Sequence, residues 1–144
     1  MKILLVNPNT SISVTERLEA VGRSVASPGT TIKALTAPRG FPYLSSRAEA
    51  QIGGAIVLDM IAEEPEPFDV AIIAAFGDPG LMAARELFDQ PVIGMSEAAM
   101  LTACMLGSKF SLVTFANALK PWFEECVAMH GLTDRCASVR SLSG

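Results

Sequence analysis

The feature that most restricts the fold of this chain is the run Phe68–Ala75, FDVAIIAA, in which Asp69 is the only polar residue. A strand with one face in water alternates apolar and polar side chains. A continuous apolar run of strand length is what a central parallel strand needs, because helices cover both of its faces. Pro65 and Pro67 stand before the run, and the turn-forming Phe76-Gly77-Asp78-Pro79 follows it.

Similar but shorter runs recur along the chain. Lys2–Val6 (KILLV), Thr31–Thr36, Pro91–Gly94 and Phe110–Phe115 (FSLVTF) read as strands, and Cys136–Arg140 begins a sixth. Amphipathic segments separate them. A helix capped by Ser11 or Ser13 runs to about Val25, with Val14, Leu18, Val21 and Val25 along one face. Ser46-x-x-Glu49 fits a capping box and opens a second helix to about Glu64. Its Gly53-Gly54 pair costs about 1 kcal/mol per glycine relative to alanine, which points to close packing against a strand. Gly80–Phe88 is a short third helix. Ser96 caps a fourth, which Gly107 ends. Asn117 caps a fifth to about His130, with Pro121 near its first turn and Gly131 after it. This alternation predicts an α/β fold, a parallel sheet with alternating helices and right-handed crossovers. The chain ends at Ser141-Leu142-Ser143-Gly144, directly after a candidate strand with no helix to cover it, so continuation beyond Gly144 is expected.

Composition narrows the function. Of 144 residues, 50% are hydrophobic and 18% charged, enough apolar surface to order the chain. A formal net charge of −4, without a basic stripe, argues against nucleic-acid binding. No apolar stretch is long enough for a membrane span, and the four-residue run in MKILLVNPNT is too short for a signal peptide. Cys104, Cys126 and Cys136 form neither a disulfide framework nor a metal-ligand spacing, and His130 is the single histidine, so no metal site is expected. A reducing, cytoplasmic protein is the expectation.

In open α/β sheets, ligands bind beyond the carboxyl ends of the strands. Asn7-Pro8-Asn9-Thr10-Ser11 occupies such a place and offers amides, hydroxyls and a helix N-terminus to a carboxylate, carbonyl or phosphate, although an ordinary turn and cap would use one of these residues. Pro38–Ser46 is a second such loop. In Phe76–Gly80, Gly77 permits close backbone approach, but the spacing is not the dinucleotide fingerprint and a simple turn accounts for it. Ser96 reads as a cap and Thr114 as an ordinary strand residue facing the same cleft. Cys104 and Cys126 read as buried inert thiols, and His130 as a C-terminal cap. Trp122 packs its helix on the sheet or on a partner. These features give a parallel α/β domain with a polar, anion-tolerant site, but no reaction.

Several motifs stand in order: NPNTS at 7–11, SRAEA at 46–50, AAFGDPGL at 74–81, ARE at 84–86, PVIGMSEAAM at 91–100, LGSKFSLVT at 106–114 and CASVR at 136–140. The sequence resembles the aspartate/glutamate/hydantoin racemase superfamily, and most closely its hydantoin and allantoin branch. The resemblance implies two α/β lobes, here residues 1–95 and a partial second lobe, 96–144. It implies an enzyme without cofactor or metal that takes a small-molecule substrate, a 5-substituted hydantoin or related amino-acid derivative, and forms homo-oligomers. In the family, one cysteine thiolate removes the Cα proton and a second thiol delivers one to the opposite face, as inversion requires. The first cysteine follows a strand in a pattern like A-C-F-G-D-P-G, and Ala75 holds that position here. The second lies later in the second lobe, beyond this chain, and Cys104, Cys126 and Cys136 match neither position. The same mapping makes Asn7 a contact to a substrate carbonyl or carboxylate, Ser96 and Thr114 donors to the substrate, and Tyr43, Phe76 and Gly77 lining residues. The chain by itself is therefore expected to be inactive and, with a half-built sheet, to self-associate. Two alternatives stay open: an arylmalonate decarboxylase-like enzyme with a single, second-lobe cysteine, and a non-enzymatic flavodoxin-like module in which NPNTS holds an anion.

Overall fold

A computed structural model describes residues 1–142; Ser143 and Gly144 of the predicted tail lie outside the described residues. Strands β1 (Lys2–Asn7), β2 (Thr31–Thr36), β3 (Val70–Ile73) and β4 (Val92–Gly94) form a four-stranded sheet in the order β2-β1-β3-β4. All neighbours in it are parallel. Strands β5 (Phe110–Thr114) and β6 (Cys136–Ser141) form a separate two-stranded parallel sheet. Helices α1 (Ile12–Val25), α2 (Arg47–Ala62), α3 (Leu81–Leu87), α4 (Met95–Leu106) and α5 (Lys120–Met129) connect them. The chain moves outward from β1 to β2, then crosses back to β3 on the other side. The carboxyl ends of β1 and β3 therefore flank a topological switch point, where the loops separate and leave a crevice.

The main core is built as the apolar runs demand. Leu4, Val6, Ala71 and Ile73 of β1 and β3 bury against Ile56, Val57 and Ile61 of α2 and Leu81 and Ala84 of α3. Leu5, Ile32 and Ala74 bury on the opposite face, with Leu18 of α1 packed against them. Met100, Cys126, Val127 and Leu132 form one core cluster beside the second sheet, and Leu119, Phe123 and Val139 form another. Among the described residues no helix is long and apolar enough to cross a membrane.

Several local expectations are corrected. The central strand stops at Ile73. Ala74 still donates its N–H to the Val6 carbonyl, but the Asp78 N–H bonds back to the Ala75 carbonyl at 3.2 Å, so a turn begins where the sequence is still apolar. On α1, Val21 and Val25 are exposed (65% and 79%), while Thr15 is buried. The cause is Gly22: a Cβ there would sit 3.0 Å from Ile32 Cδ1, so the bare glycine lets the helix settle with its Thr15–Leu18–Gly22 side inward. The α2 box is half reciprocal. Ser46 Oγ accepts the Glu49 N–H (3.2 Å), but the Glu49 carboxylate accepts from the N–H and hydroxyl of Ser45, one residue earlier than predicted. Ser96 lies inside the first turn of α4, whose N-cap is Gly94. Asn117 opens a 3-10 turn, Asn117–Leu119, that precedes α5 rather than capping it.

The glycine pair of α2 packs against loops, not a strand. Gly53 faces Leu44, and a Cβ on Gly54 would meet the Gly80 nitrogen at 2.9 Å. Gly80 has φ +83, so two glycines meet backbone to backbone and seat the turn before α3 on α2. Backbone cannot swing aside as a side chain can. Gly54→Ala is expected to lower stability by about 1–3 kcal/mol, more than offsetting the roughly 1 kcal/mol gain in helix propensity, as read from the urea unfolding midpoint. An unchanged or higher midpoint would contradict this packing account.

Candidate functional site

The loop after β3, beside the switch point, carries a buried carboxylate, that of Asp78. Asp78 has φ +47, a left-handed conformation that a non-glycine residue keeps only when its surroundings hold it. Its carboxylate does this by capping α4 from a distance: Oδ1 accepts the Ser96 N–H and Oδ2 the Glu97 N–H, each at 2.8 Å. Those N–H groups are orphans of the helix's first turn, and a carboxylate there also meets the positive end of the helix dipole. Gly94 cannot cap with a side chain, and any side chain there would run into the Asp78 carboxylate. A reverse bond completes the junction, with the Gly77 N–H donating to Ser96 Oγ at 3.1 Å. Ser96 is fully buried and its hydroxyl lies 3.5 Å from Cys126 Sγ on α5.

His130, just past α5, closes the other side. Its buried imidazole stands between two carboxylates, Nε2 at 3.4 Å from Asp78 Oδ2 and Nδ1 at 3.4 Å from Glu97 Oε1. Glu97 is fixed by a two-pronged contact from Arg85 (3.1 and 2.6 Å), whose Nε donates to the Val92 carbonyl. The Arg85 hydrogen bond holds the Glu97 carboxyl below the usual carboxylate range. Burial pushes the Cys126 thiol up. His130 is thus an interior residue tied to the Phe76–Gly80 loop, not a solvent-side helix cap. Sequence reasoning missed Asp78 and His130 as partners. The available signals were a helix starting at a glycine, which needs a cap from elsewhere, and a cysteine and histidine four residues apart on one helix.

Asn7 sits at the end of β1, fully buried. Its amide donates to Asn9 Oδ1 (3.0 Å), Thr15 Oγ1 (2.9 Å) and the Ser11 carbonyl (3.3 Å), and its Oδ1 accepts the Asn9 N–H. The Ser11 N–H bonds to Asn9 Oδ1 and the Thr10 N–H to the Phe41 carbonyl. The NPNTS loop is therefore closed on itself. The amides of Asn9, Thr10 and Ser11 are occupied within the chain and do not form an open cradle for a phosphate.

The other predicted residues are dispersed. Ala75 is half-buried at the bend after β3. Thr114, at the end of β5, is buried, and its Oγ1 has no hydrogen-bond partner among the described residues. Tyr43 is exposed and its ring lies 5.2 Å from Phe115. Phe76 packs edge-on against Phe123 at 4.7 Å. Trp122 covers Gly77 so closely that no side chain fits at that position. A cavity of about 570 Å³ opens between α2, the Gly77–Gly80 turn and α5, with Arg47, Gly54, Trp122, Glu125 and Cys126 among its lining. Of the predicted contacts only Gly77 borders it; Asn7, Tyr43, Phe76, Ser96 and Thr114 do not.

The Asp78 junction yields a measurable expectation. Asp78→Ala removes two charge-assisted bonds and orphans two helix N–H groups, so it is expected to cost about 2–3 kcal/mol in urea unfolding. Asp78→Asn keeps an acceptor for one N–H and is expected to cost less. Equal loss from both variants would show that the single acceptor retained by Asn does not support α4.

Comparison with known proteins agrees with this architecture. Residues 3–144 match the Asp/Glu/Hydantoin racemase family. The hydantoin racemase of Pseudomonas sp. (strain NS671) is 35% identical over 142 residues, covering 98% of this chain and 57% of that protein. The hydantoin racemase of Paenarthrobacter aurescens is 34% identical, with 97% and 60% covered. The solved allantoin racemase from Klebsiella pneumoniae superposes with a TM-score of 0.94 at 39% identity, covering 98% of this chain and 58% of that one. That from Pseudomonas fluorescens gives 0.95 at 39% identity, with 98% and 60% covered. The chain thus spans about 57–60% of the length of these relatives. With the motifs, the parallel α/β layers and the match over residues 3–144 in agreement, this chain belongs to the Asp/Glu/hydantoin racemase family.

Proposed function

We propose that this chain supplies the first lobe, residues 1–95, and the opening part of the second, residues 96–144, of a cofactor-independent racemase-family protein. Its ligand is a 5-substituted hydantoin or a related amino-acid derivative, the class named by its hydantoin and allantoin racemase relatives. The chain by itself transfers no proton. The observation that carries this reading is Ala75, half-buried at the bend after β3 and beside the switch point. It stands where the family pattern places its first cysteine, and a methyl group neither accepts nor donates a proton. None of the three thiols substitutes for it: Cys126 is buried in α5, and Cys104 and Cys136 pack beside the second core cluster.

The unpartnered hydroxyl of Thr114 supports a substrate-facing role, since a buried polar atom without a partner is costly unless a ligand satisfies it. Tyr43 and Phe76 are assigned as lining side chains, and Gly77 as a backbone contact. Asn7 and Ser96 act through the loops they hold, because their polar atoms are already engaged. Val113 and Phe115, exposed along and beyond β5, are the surfaces through which the chain self-associates.

The missing first thiol also suits single-cysteine, decarboxylase-type chemistry, and one experiment separates the two. A single enantiomer of a 5-substituted hydantoin is incubated in heavy water, and optical rotation and Cα deuterium uptake are followed against an enzyme-free control. The 144-residue chain and its Ala75→Cys variant are expected to match the control. Joining Ala75→Cys to the C-terminal part of a hydantoin racemase relative is expected to raise inversion at least about 100-fold over the Ala75 fusion, the usual minimum contribution of a positioned acid–base group. Loss of rotation catalysed by the unmodified chain would overturn the reading. Deuterium uptake without inversion in the Ala75 fusion would favour the single-thiol alternative.

A further inference from the structure

The junction of the Phe76–Gly80 loop, α4 and α5 has a property that neither capping nor substrate binding uses. Asp78, Cys126 and His130 place one carboxylate oxygen, Sγ and a ring nitrogen within 4.8 Å of one another. Cys126 and His130 are four residues apart, one turn along the same side of α5, and Asp78 comes from the loop after β3. The spacing rules for cysteine and histidine pairs find nothing here because the third donor is remote in sequence.

The second observation concerns His130 itself. Its side chain is only 6% exposed, and Nε2 has no hydrogen-bond partner among the described residues. Glu97, held by Arg85, faces Nδ1 at 3.4 Å. Nε2 faces Asp78 Oδ2, 3.4 Å away, an oxygen that already accepts the Glu97 N–H. A cation held between His130 Nε2 and Asp78 Oδ2 would satisfy both atoms in this buried place.

We propose that Asp78, Cys126 and His130 bind one divalent cation of the zinc type. The 3.4 Å separation matches donors around a tetrahedral centre with bonds of about 2.0–2.3 Å. A thiolate, an imidazole and a carboxylate favour zinc over magnesium or calcium, which take oxygen donors. Two anionic donors and one neutral donor cancel a double positive charge, so the loaded site is neutral, as a buried site needs. The Cys126 thiol gives up its proton to solvent on binding, and the metal–sulfur bond replaces the S–H bond. Glu97 orients the imidazole from behind, as carboxylate–histidine–metal arrangements do. Asp78 and Cys126 both border the 570 Å³ cavity, which leaves a fourth position for water on that side.

The test uses the full chain carrying Cys104→Ser and Cys136→Ser, so that Cys126 is its one thiol. Zn²⁺ is titrated in competition with a chromophoric chelator, and Co²⁺ serves as a spectroscopic probe. One equivalent is expected to bind, and cobalt is expected to show tetrahedral visible bands with thiolate charge transfer. Both signals are expected to vanish in Cys126→Ala and His130→Phe, and Glu97→Gln is expected to weaken affinity about 10–100-fold. Circular dichroism confirms that each variant is folded. A further readout is independent of the variants: saturating Zn²⁺ is expected to protect Cys126 from alkylation in the otherwise unaltered chain. Absence of saturable binding, binding that survives Cys126→Ala, or unchanged alkylation would each overturn the proposal.

Discussion

The carboxylate of Asp78, in the loop after β3, closes the amino end of α4, and much of the surrounding geometry follows from that. A helix that begins at a glycine has no side chain of its own to receive its first N–H groups. Asp78 receives two of them, and the bonds in turn hold its backbone in the left-handed region. The same constraint explains the neighbours. Gly94 must be bare because the carboxylate occupies the space of its Cβ, and Ser96 accepts the Gly77 N–H to hold the loop's other end. A turn and a helix start from two parts of the chain are locked by three polar contacts.

The elements were legible in the sequence because they rest on local periodicity. The apolar run around Val70–Ile73 and the alternation with amphipathic segments suffice for a parallel α/β fold. The turn positions were harder to read. Ala74 and Ala75 continue the apolar pattern chemically, yet the chain bends there, because a hydrogen bond from Asp78 to Ala75 outweighs any strand preference of two alanines. The buried side of α1 was misplaced for a related reason. Counting apolar residues selects Val21 and Val25, whereas a glycine's missing side chain decides how closely the helix approaches Ile32.

The candidate site was legible in its location and less so in its roles. Switch-point reasoning selects the loops after β1 and β3, and both are rich in polar bonds. It does not say which polar atoms remain free. Asn7 looks like a ligand-binding amide in sequence, but its donors are taken by Asn9, Ser11 and Thr15. Thr114 looks like an ordinary strand residue, but its buried hydroxyl has no partner among the described residues. His130 looks like a helix cap, but it reaches into the interior between Asp78 and Glu97. For His130 the deciding partners are set by tertiary packing, which local sequence does not encode.

This division of labour bears on how a family scaffold can hold alanine at residue 75. The contacts that shape the switch point come from Gly77, Asp78, Gly80 and Ser96, and none depends on the side chain of residue 75. Ala75 enters the loop only through its carbonyl, which accepts the Asp78 N–H, and any residue presents the same carbonyl. A thiol and a methyl are therefore nearly interchangeable for folding at this position and wholly different for chemistry. The bonds that shape this turn are the same whichever residue stands at 75. The turn's rigidity comes from the same carboxylate and helix terminus that hold α4, and the side chain at residue 75 adds nothing to it.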